Sequence, residues 1–297
     1  MNMPNQWNML DIVLEQKTRV EAIRKACEHE LSAHAFVSLF LWKKQMGLSI
    51  GFGKNSFFVK SECDGDNAWF FPCGDEAENL DFLNMHVEED NLKLVYLRKQ
   101  DVDFLEVHFP GQFRVYERPE SSEYVFERTQ QEKLAGGSFS NIRNQMNHLQ
   151  RSHEVMCRNL MKENLEDAVG VITRAKGTRH VPGYHALIDD GIAKLALDHR
   201  EELGMKGVLV YVDGVPEALT LGFPLTHDTI DGCIERHNSA IPGLSCYTQR
   251  ALLLEAPEQY RYMNGEEDLG LDGLRKMKRH MCPIRMNTIY EAERHVR

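Results

Sequence analysis

The N-terminal part of the chain changes its hydrophobic period several times, which predicts short helices and strands in alternation. A capping-box sequence, Thr18–Glu21, precedes apolar positions at helical spacing and predicts a helix over about residues 20–31. The aromatic run 36–42 predicts a second, core helix. Short β-rich runs separated by turn-forming residues predict an antiparallel meander over 49–52, 56–60 and 68–71.

A polar segment, Glu117–Ser122, is the predicted linker between two halves of the chain. Beyond it, helical spacing predicts a long helical region over about residues 141–171. The Asp213-Gly214 pair lies between two β-rich runs and predicts a hairpin. Strands and helices then alternate, with strands predicted at 229–235, 260–263 and 284–289 and helices at 245–255 and 271–280.

This pattern predicts an α+β fold with an N-terminal domain over residues 1–121 and a C-terminal domain over residues 122–297. The 297 residues are enough for two ordinary domains, each with its own core. No apolar run approaches the roughly 20 residues that cross a bilayer, and the N-terminus does not resemble a signal peptide. We therefore expect a cytoplasmic protein without a transmembrane segment.

Charge and cysteine content narrow the function classes. The formal net charge of −10 disfavours indiscriminate binding to nucleic acid or anionic lipid, but it leaves room for a local basic patch. The seven cysteines include no Cys-x-x-Cys pair, which argues against a disulfide framework and against a zinc knuckle. We interpret them as reduced thiols.

The densest candidate chemistry lies in residues 260–278. Three adjacent carboxylates, Glu266, Glu267 and Asp268, stand between a predicted strand and a predicted helix, and Arg275 and Lys278 follow one to two turns later. This arrangement is suited to holding an amine and stabilising an oxyanion. The alternative interpretation is structural: the acids cap the helix and the bases complement its C-terminal end, each contributing less than about 2 kcal/mol. Consecutive carboxylates point in different directions, so we predict no metal site.

The same segment carries a family resemblance. Asn264-x-Glu266-Glu267-Asp268-Leu269-Gly270-x-x-Gly273-Leu274-Arg275-Lys276-x-Lys278, followed by Pro283, resembles the C-terminal signature of bacterial proteins similar to the phosphatidylglycerol lysyltransferase C-terminal domain. Further segments resemble that family in the same order, and these are Leu134-x-Gly136 with Arg143-Asn144, Gly207–Gly222, Ile234–Asn238 with Gly243, and, more weakly, Ser32, Phe36, Trp42 and Phe71–Gly74.

The resemblance implies two tandem GNAT-like (acyl-CoA N-acyltransferase-like) domains with mixed, mostly antiparallel sheets and an active site in the C-terminal domain. It implies a catalytic set and a substrate-binding set, which are Glu235, Glu267, Asp268 and Arg275, and Arg143, Asn144, Arg236, Asn264 and Lys278. Cys233 stands where the family pattern has His, two residues before the Glu. No segment matches the membrane-spanning half of the lysyltransferases, which disfavours a lipid substrate.

The implied reaction moves an aminoacyl group from aminoacyl-tRNA to an amine or hydroxyl of a small molecule, a peptide or a lipid headgroup, without a cofactor. An acetyl-CoA-dependent N-acetyltransferase acting on a small cationic amine is one alternative, and a non-catalytic module that binds a metabolite or RNA is another. Pyrophosphate cradles of GNAT enzymes use the loop Q/R-x-x-G-x-G/A. The corresponding loop, residues 236–244, has one glycine and a proline, and only partial matches occur at 133–138 and 174–179.

Overall fold

The computed structural model describes residues 7–63, 66–89, 91–174 and 190–295. The chain packs as two compact units, the first formed by Met1–Ser122 with Asn287–Arg297 and the second by Glu123–Met286. The predicted C-terminal domain over residues 122–297 differs from this grouping at its end, because the last strand pairs within the first unit. Of the partial loop match at 174–179, residues 175–179 lie outside the described residues.

The first unit contains short helices around one sheet. Its elements up to Ser122 are β1 (Leu10–Asp11), α1 (Lys17–Ala26), α2 (Phe36–Trp42), β2 (Leu48–Phe52), β3 (Ser56–Cys63), β4 (Asp66–Phe70), β5 (Cys73–Gly74), α3 (Glu76–His86), β6 (Lys93–Leu97), α4 (Lys99–His108) and β7 (Phe113–Glu117), with 3-10 turns at Leu14–Gln16 and Ser32–His34.

The second unit contains longer strands and a central helix. Its elements are β8 (Glu123–Glu127), α5 (Arg128–Lys133), α6 (Ser140–Ser152), β9 (Val155–Asn159), α7 (Leu165–Arg174), α8 (Asp190–Asp198), α9 (Arg200–Leu203), β10 (Lys206–Val212), β11 (Val215–Pro224), β12 (Thr229–His237), α10 (Leu244–Glu255), β13 (Tyr262–Asn264), α11 (Asp272–His280) and β14 (Arg285–Asn287), with a 3-10 turn at Lys162–Asn164.

The sheet of the first unit has the strand order β1-β2-β3-β4-β6-β15-β7, where β15 is Tyr290–Arg294 and β5 pairs with β3. Most of these strands are antiparallel, but β4 and β6 run parallel. An aromatic core fills this unit: Phe82 is fully buried and stacks on Phe58 at 4.4 Å between ring centroids, with Trp69 edge-on at 5.0 Å. Such pairs add to the stabilisation from burial itself.

The sheet of the second unit has the strand order β14-β8-β13-β12-β11-β10-β9. The predicted hairpin is confirmed, since Asp213 and Gly214 turn β10 into β11 with φ angles of 51° and 78°, as a two-residue hairpin loop requires. The pair β12 and β13 is parallel, and β8 lies antiparallel to β13. Gly222 lets β11 and β12 approach, because a Cβ there would lie 1.8 Å from the Asp231 carbonyl oxygen.

The prediction of one helical region over residues 141–171 is wrong in its middle. After α6 ends at Ser152, β9 pairs antiparallel with β10 before α7 begins. The segment contains Glu154, Val155 and Arg158 and lacks the apolar alternation of a buried strand, because β9 is a partly exposed outer strand of the sheet. Its pairing partner is also distant in sequence, so no local pattern predicts the strand. In the described part of the chain, every helix is too short or too polar to traverse a bilayer.

Candidate functional site

The candidate site lies where β13 ends and the chain turns into α11. Three residues of this turn have left-handed backbone angles: Glu266 at φ 56°, Leu269 at φ 54° and Gly270 at φ 72°. Such angles cost a residue with a Cβ about 1–2 kcal/mol and persist only where surrounding contacts hold them. A Cβ on Gly265 would come within 2.7 Å of the Phe126 ring, so the turn is also closely packed. The turn therefore has a fixed, strained shape.

A buried carboxylate, Asp268, ties this turn to α11 and to β8. It is 1% exposed and accepts hydrogen bonds from Arg275 Nε at 2.9 Å and Arg275 Nη2 at 3.0 Å. The Tyr124 hydroxyl donates to it at 2.6 Å and the Gly270 N–H at 2.9 Å. Desolvation acts to raise the pKa of Asp268, but these donors outweigh it and hold the pKa below its ordinary value. Asp268 is thus an anion that fixes the orientation of Arg275.

Lys278 lies one turn further along α11 and directs its ammonium back into the turn. The residue is 8% exposed, and its Nζ donates to the carbonyl oxygens of Gly265 and Glu267. Desolvation lowers the pKa of Lys278, while the carboxylates of Glu267, Glu266 and Glu235 oppose that shift. The structure therefore brings together Lys278 with two of the predicted catalytic acids, Glu235 from β12 and Glu267 from the turn.

The carboxyl groups around Lys278 form an acidic cluster, which we define as Asp231, Glu235, Glu266 and Glu267. Desolvation raises the pKa of Glu266 well above its ordinary value, and Asp231 and Glu267 raise it further. Desolvation likewise raises the pKa of Glu267, against the opposing charge of Lys278. Glu235 also lies 3.2 Å from His237 Nδ1. The single ammonium of Lys278 does not offset the other three carboxyl groups, so this cluster favours the uptake of protons or of a further cation.

Asn264 connects the acidic cluster to the sheet. It is fully buried, donates through Nδ2 to Glu123 Oε2 at 2.6 Å and accepts from the Glu266 N–H at 2.8 Å. Asn264 is also the register partner of Asp231 at the end of the parallel pair β12–β13. The carboxyl ends of parallel strands are a frequent place for binding sites, since the chain diverges there and leaves a crevice.

The outer face of α11 has the opposite charge. A cavity of about 300 Å³, which we call the basic pocket, is lined by Asp272, Arg275, Lys276, Arg279 and His280. The charged groups at this pocket are mainly cationic, and Arg275 belongs both to it and to the buried pair with Asp268. Arg279 also reaches the Tyr124 hydroxyl. A pocket lined by two guanidinium groups and an ammonium is suited to a phosphate.

The capping interpretation of the acidic run does not fit this geometry. The N-cap of α11 is Leu271, and no side chain caps the helix there. Asp268 accepts from side chains of α11 and β8 instead, and Lys278 donates to the carbonyl groups of the turn rather than to the end of its own helix. Asp268 and Lys278 therefore stabilise the turn between β13 and α11 rather than the ends of the helix.

Within the part of the chain that the structure describes, two predicted substrate-binding residues, Arg143 and Asn144, make no bond to this cluster, and a third, Arg236, contacts it through the backbone of Glu235. Arg143, at the start of α6, donates to the carbonyl oxygens of Leu134 and Gly136 and so holds the end of α5. Asn144 is exposed on the same helix. Arg236 donates to the carbonyl oxygen of Glu235, and desolvation lowers its pKa.

Sequence reasoning missed Tyr124, Asp231 and Glu123 as residues of the site. An acid inside a predicted strand was the available signal for Asp231, which is fully buried in β12. Tyr124 and Glu123 directly follow the predicted linker and gave no signal. Desolvation raises the pKa of the Cys233 thiol well above its ordinary value, and Glu266 and Asp231 raise it further, so this thiol stays protonated.

The loop over residues 236–244 uses its own N–H groups internally. The Ala240 N–H donates to Asn238 Oδ1, and the Ile241 and Leu244 N–H groups donate to loop carbonyl oxygens. Gly243 has φ 85° at the N-cap of α10, where a Cβ would lie 2.6 Å from the Gln145 carbonyl oxygen. Among the residues described, no three or more His, Cys, Asp or Glu side chains are grouped to hold a metal ion.

Together, the two mixed, mostly antiparallel sheets define the fold class, an α+β protein of two tandem GNAT-like units. The sequence profile of the family described as phosphatidylglycerol lysyltransferase, C-terminal, matches residues 24–292, and the chain belongs to that family.

Solved structures agree with this assignment at the level of the fold. A conserved protein of unknown function from Bacteroides thetaiotaomicron VPI-5482 superposes with a TM-score of 0.88 at 21% identity, covering 98% of this chain and 100% of that one. L-PGS from Bacillus licheniformis gives 0.64 at 14% identity, covering 94% and 92%. FemX gives 0.58 at 8% identity, covering 96% of each chain. No match was found among curated proteins.

Proposed function

We propose that this chain is a cytoplasmic aminoacyltransferase whose active site is the junction between β13 and α11. In this proposal it takes an aminoacyl group from aminoacyl-tRNA and passes it to an amine or hydroxyl of a small molecule, a peptide or a lipid headgroup. One observation carries the proposal: the acidic cluster around Lys278 and the basic pocket adjoin the same turn, since Lys278 and Arg275 both lie on α11 and both bind residues of that turn. Family membership supports the class of reaction.

The acidic cluster is suited to the ammonium group of an aminoacyl donor. Its carboxyl groups repel one another, and enclosure raises the pKa of Glu266 and Glu267. A bound ammonium relieves that repulsion, so part of the attraction is present in the free protein before the ligand arrives. An aminoacyl ester has an amino group at its α-carbon, which is such a cation when it is protonated.

The basic pocket is suited to the other end of the donor, which carries phosphates. Arg275, Lys276 and Arg279 of α11 line this pocket of about 300 Å³ with three positive charges. The whole chain has a net charge of −10, so a local patch of this kind is where RNA phosphates find attraction. The ester carbonyl, which joins the two ends of the donor, then lies near the turn itself.

Acyl transfer at this point requires one proton to move and one oxyanion to be stabilised. The acceptor amine or hydroxyl attacks the ester carbonyl, and a bond from its nitrogen or oxygen to the acyl carbon forms as the ester bond to the ribose oxygen breaks. The acceptor proton passes to a base, which returns it to the departing ribose oxygen. We assign the base to Glu267 or Glu235, because desolvation brings the pKa of Glu267 closer to neutrality. Arg275, fixed by Asp268, is the proposed electrostatic partner of the oxyanion.

The remaining predicted residues have supporting roles in this proposal. Asn264 fixes the turn beside the cluster, and Arg236 lies next to Glu235 on β12. Arg143 holds the entry of α6, which presents Asn144 to solvent. We assign the last three to substrate binding on the strength of the family pattern. The proposal includes no metal ion and no cofactor.

The proposal is tested by label transfer from a panel of aminoacyl-tRNAs, each carrying a radiolabelled amino acid. Each donor is mixed with the full chain and with amine, peptide or phospholipid acceptors, and loss of label from tRNA is followed together with gain in the acceptor. We expect one donor to transfer its label faster than the uncatalysed control. If no donor does, while labelled acetyl-CoA acetylates an amine, the acetyltransferase alternative replaces the proposal.

A further inference from the structure

The first unit contains a pair of thiols that belongs to none of the chemistry described above. Cys27 follows α1 as its C-cap, and Cys73 begins β5. Their Sγ atoms lie 3.5 Å apart, although 46 positions separate them in sequence. Cys73 is 1% exposed, whereas Cys27 is partly exposed. A partly exposed cysteine is therefore in sulfur–sulfur contact with a buried one.

We propose that Cys27 and Cys73 form a peroxide-reactive dithiol site, in which the accessible Cys27 is oxidised first and the buried Cys73 then closes a disulfide with it. This proposal is independent of the aminoacyltransferase function, since both thiols and the groups around them belong to the first unit.

The surroundings of Cys27 favour its thiolate. The hydrogen bond from Cys73 is the largest influence and, with the charges of Arg98 and Arg24, lowers the pKa of Cys27 to about 7 although desolvation opposes this. Desolvation and the neighbouring Cys27 raise the pKa of Cys73 well above its ordinary value. Cys73 thus stays protonated and donates to the thiolate, which is the division of roles that an attacking and a resolving thiol require.

Other groups in this region weaken the stabilisation of the Cys27 thiolate without removing it. Arg98 also binds Asp101 at 2.9 Å and Glu30 at 3.4 Å, and Arg24 binds Glu21 at 2.8 Å. Cys27 Sγ lies 3.4 Å from the Arg24 carbonyl oxygen, which favours the protonated thiol. The buried rings of His29 and His34 lie 4.0 Å apart, tilted against each other, near the same two arginines. Desolvation lowers the pKa of both, so they add no positive charge at neutral pH.

Closing the disulfide requires only local movement. The sulfur atoms must approach from 3.5 Å to a bond length of about 2.05 Å. Cys27 has left the helix, and the next residue, Glu28, has φ 49°, while Gly74 follows Cys73 with φ 138°. Both cysteines therefore lie at ends of regular structure, where side-chain rotation disturbs few backbone hydrogen bonds.

The proposed chemistry balances with hydrogen peroxide as the oxidant. The Cys27 thiolate attacks one peroxide oxygen, an S–O bond forms as the O–O bond breaks, and the departing hydroxide takes up a proton to become water. The Cys73 sulfur then attacks Cys27 Sγ, an S–S bond forms as the S–O bond breaks, and the oxygen leaves as water with the Cys73 proton. The two thiols are oxidised to one disulfide, and peroxide is reduced to two waters.

The test treats the reduced full-length chain with peroxide, blocks remaining thiols with N-ethylmaleimide and maps the unreduced peptides by mass spectrometry. We expect a linked Cys27–Cys73 peptide that dithiothreitol separates, while Cys157, where burial raises the pKa to about 11, remains alkylated. In Cys73→Ser, dimedone should label Cys27 as a sulfenic acid, and in Cys157→Ser the disulfide should form as in the unchanged chain.

Two outcomes overturn the proposal. In the first, Cys27 reacts with peroxide no faster than Cys157; in the second, Cys27 is oxidised but no Cys27–Cys73 peptide appears. A measurement without substitutions covers the case in which Cys73→Ser does not fold: the rate of Cys27 alkylation by iodoacetamide should reach half its maximum near pH 7 in the unchanged chain. A midpoint at or above pH 8.5, the usual value for a thiol, also overturns it.

Discussion

The ends of the two parallel strand pairs show how differently the two units use a similar piece of topology. In the first unit β4 and β6 are parallel, and both strands lead into closely packed structure, where Phe71 and Leu97 are almost fully buried. In the second unit β12 and β13 are parallel, and their pairing ends at Asp231 and Asn264. Asp231 belongs to the acidic cluster, and Asn264 lies beside it.

The residues after each pair continue the contrast. Arg98 follows β6 and pairs with Asp101 at the start of α4, which closes the helix end with its own residues. After β13, the strained turn inserts several acids before α11, and Asp268 pairs with Arg275 beside the basic pocket of about 300 Å³. The end of the β4–β6 pair is therefore closely packed and its charges are paired, whereas the end of the β12–β13 pair has unbalanced negative charge. Unbalanced charge destabilises a fold, so its presence in the second unit supports the proposed location of the site.

The largest expected effect comes from Glu267→Gln. If Glu267 is the base, turnover should fall about 100- to 1,000-fold, within the range of general acid–base contributions. The melting temperature should stay equal or rise, since the substitution removes a carboxylate whose pKa is raised by enclosure and repulsion. Label transfer and thermal melting measure the two effects. The control is Glu258→Gln, an exposed acid of the same unit, and equal turnover in both variants would falsify the assignment.

A pair of alanine substitutions compares the two ion pairs directly. Asp268→Ala and Asp101→Ala should each lower the free energy of unfolding by about 1–3 kcal/mol, because the first removes the acceptor of the buried Tyr124 hydroxyl and the second the main acceptor of the buried Arg98 guanidinium. Only Asp268→Ala should also reduce turnover, measured per folded molecule. Chemical denaturation monitored by fluorescence gives the stabilities. If Asp101→Ala impairs turnover as strongly, the division of roles between the units is wrong.

The basic pocket should contribute less, and in a salt-dependent way. Lys276→Ala should weaken tRNA binding about 10-fold at low salt and reduce the slope of log affinity against log salt by roughly 1, as expected for one lost phosphate contact. Filter binding over a range of salt concentrations measures both quantities. Lys206→Ala, an exposed lysine on β10, is the matched control. A salt slope unchanged in Lys276→Ala removes this pocket from the proposed donor site.

The smallest effect is a pair of opposite pH dependences. The pKa of Asp268 is lowered by folding, so its stabilisation is present above the ordinary Asp pKa of about 3.9 and is lost as the pH falls through the lower, folded value. The pKa of Glu266 is raised, so its carboxylate destabilises the fold above that raised value and the penalty disappears as the pH falls. The melting temperature of each variant, Asp268→Asn and Glu266→Gln, is plotted against pH and should lack the slope that the substituted carboxyl group contributes. Plots parallel to that of the unchanged chain would contradict these pKa directions.

Local sequence signals predicted the elements whose structure is decided locally. The Asp213-Gly214 hairpin follows from residues that tolerate left-handed angles, and the apolar run 36–42 became α2 because its side chains are buried almost throughout. The strand β9 was missed because its pairing with β10 depends on residues about 50 positions away. The position of β15 in the first sheet was missed for the same reason.

The site was predicted to a similar extent. Asp268, Arg275 and Lys278 are close in sequence and on one helix or its entry, so spacing predicted their proximity. Glu235 joins them only because β12 lies beside β13, and the family pattern supplied it. Tyr124 and Asp231 needed the sheet order itself. The burial of Asp268 also changes its test, since a buried anion affects stability as well as chemistry.

The most direct test of the central claim is whether the acidic cluster binds the ammonium of an aminoacyl group. Calorimetric titration with a panel of amino-acid amides, which mimic the aminoacyl ester, measures this without tRNA or acceptor. The account predicts saturable binding of at least one amide to the full chain, weakened about 10-fold or more in Glu267→Gln, as loss of a charged hydrogen-bond partner implies, and unchanged in Glu258→Gln. Equal affinity in all three proteins, or no binding of any amide, would contradict it.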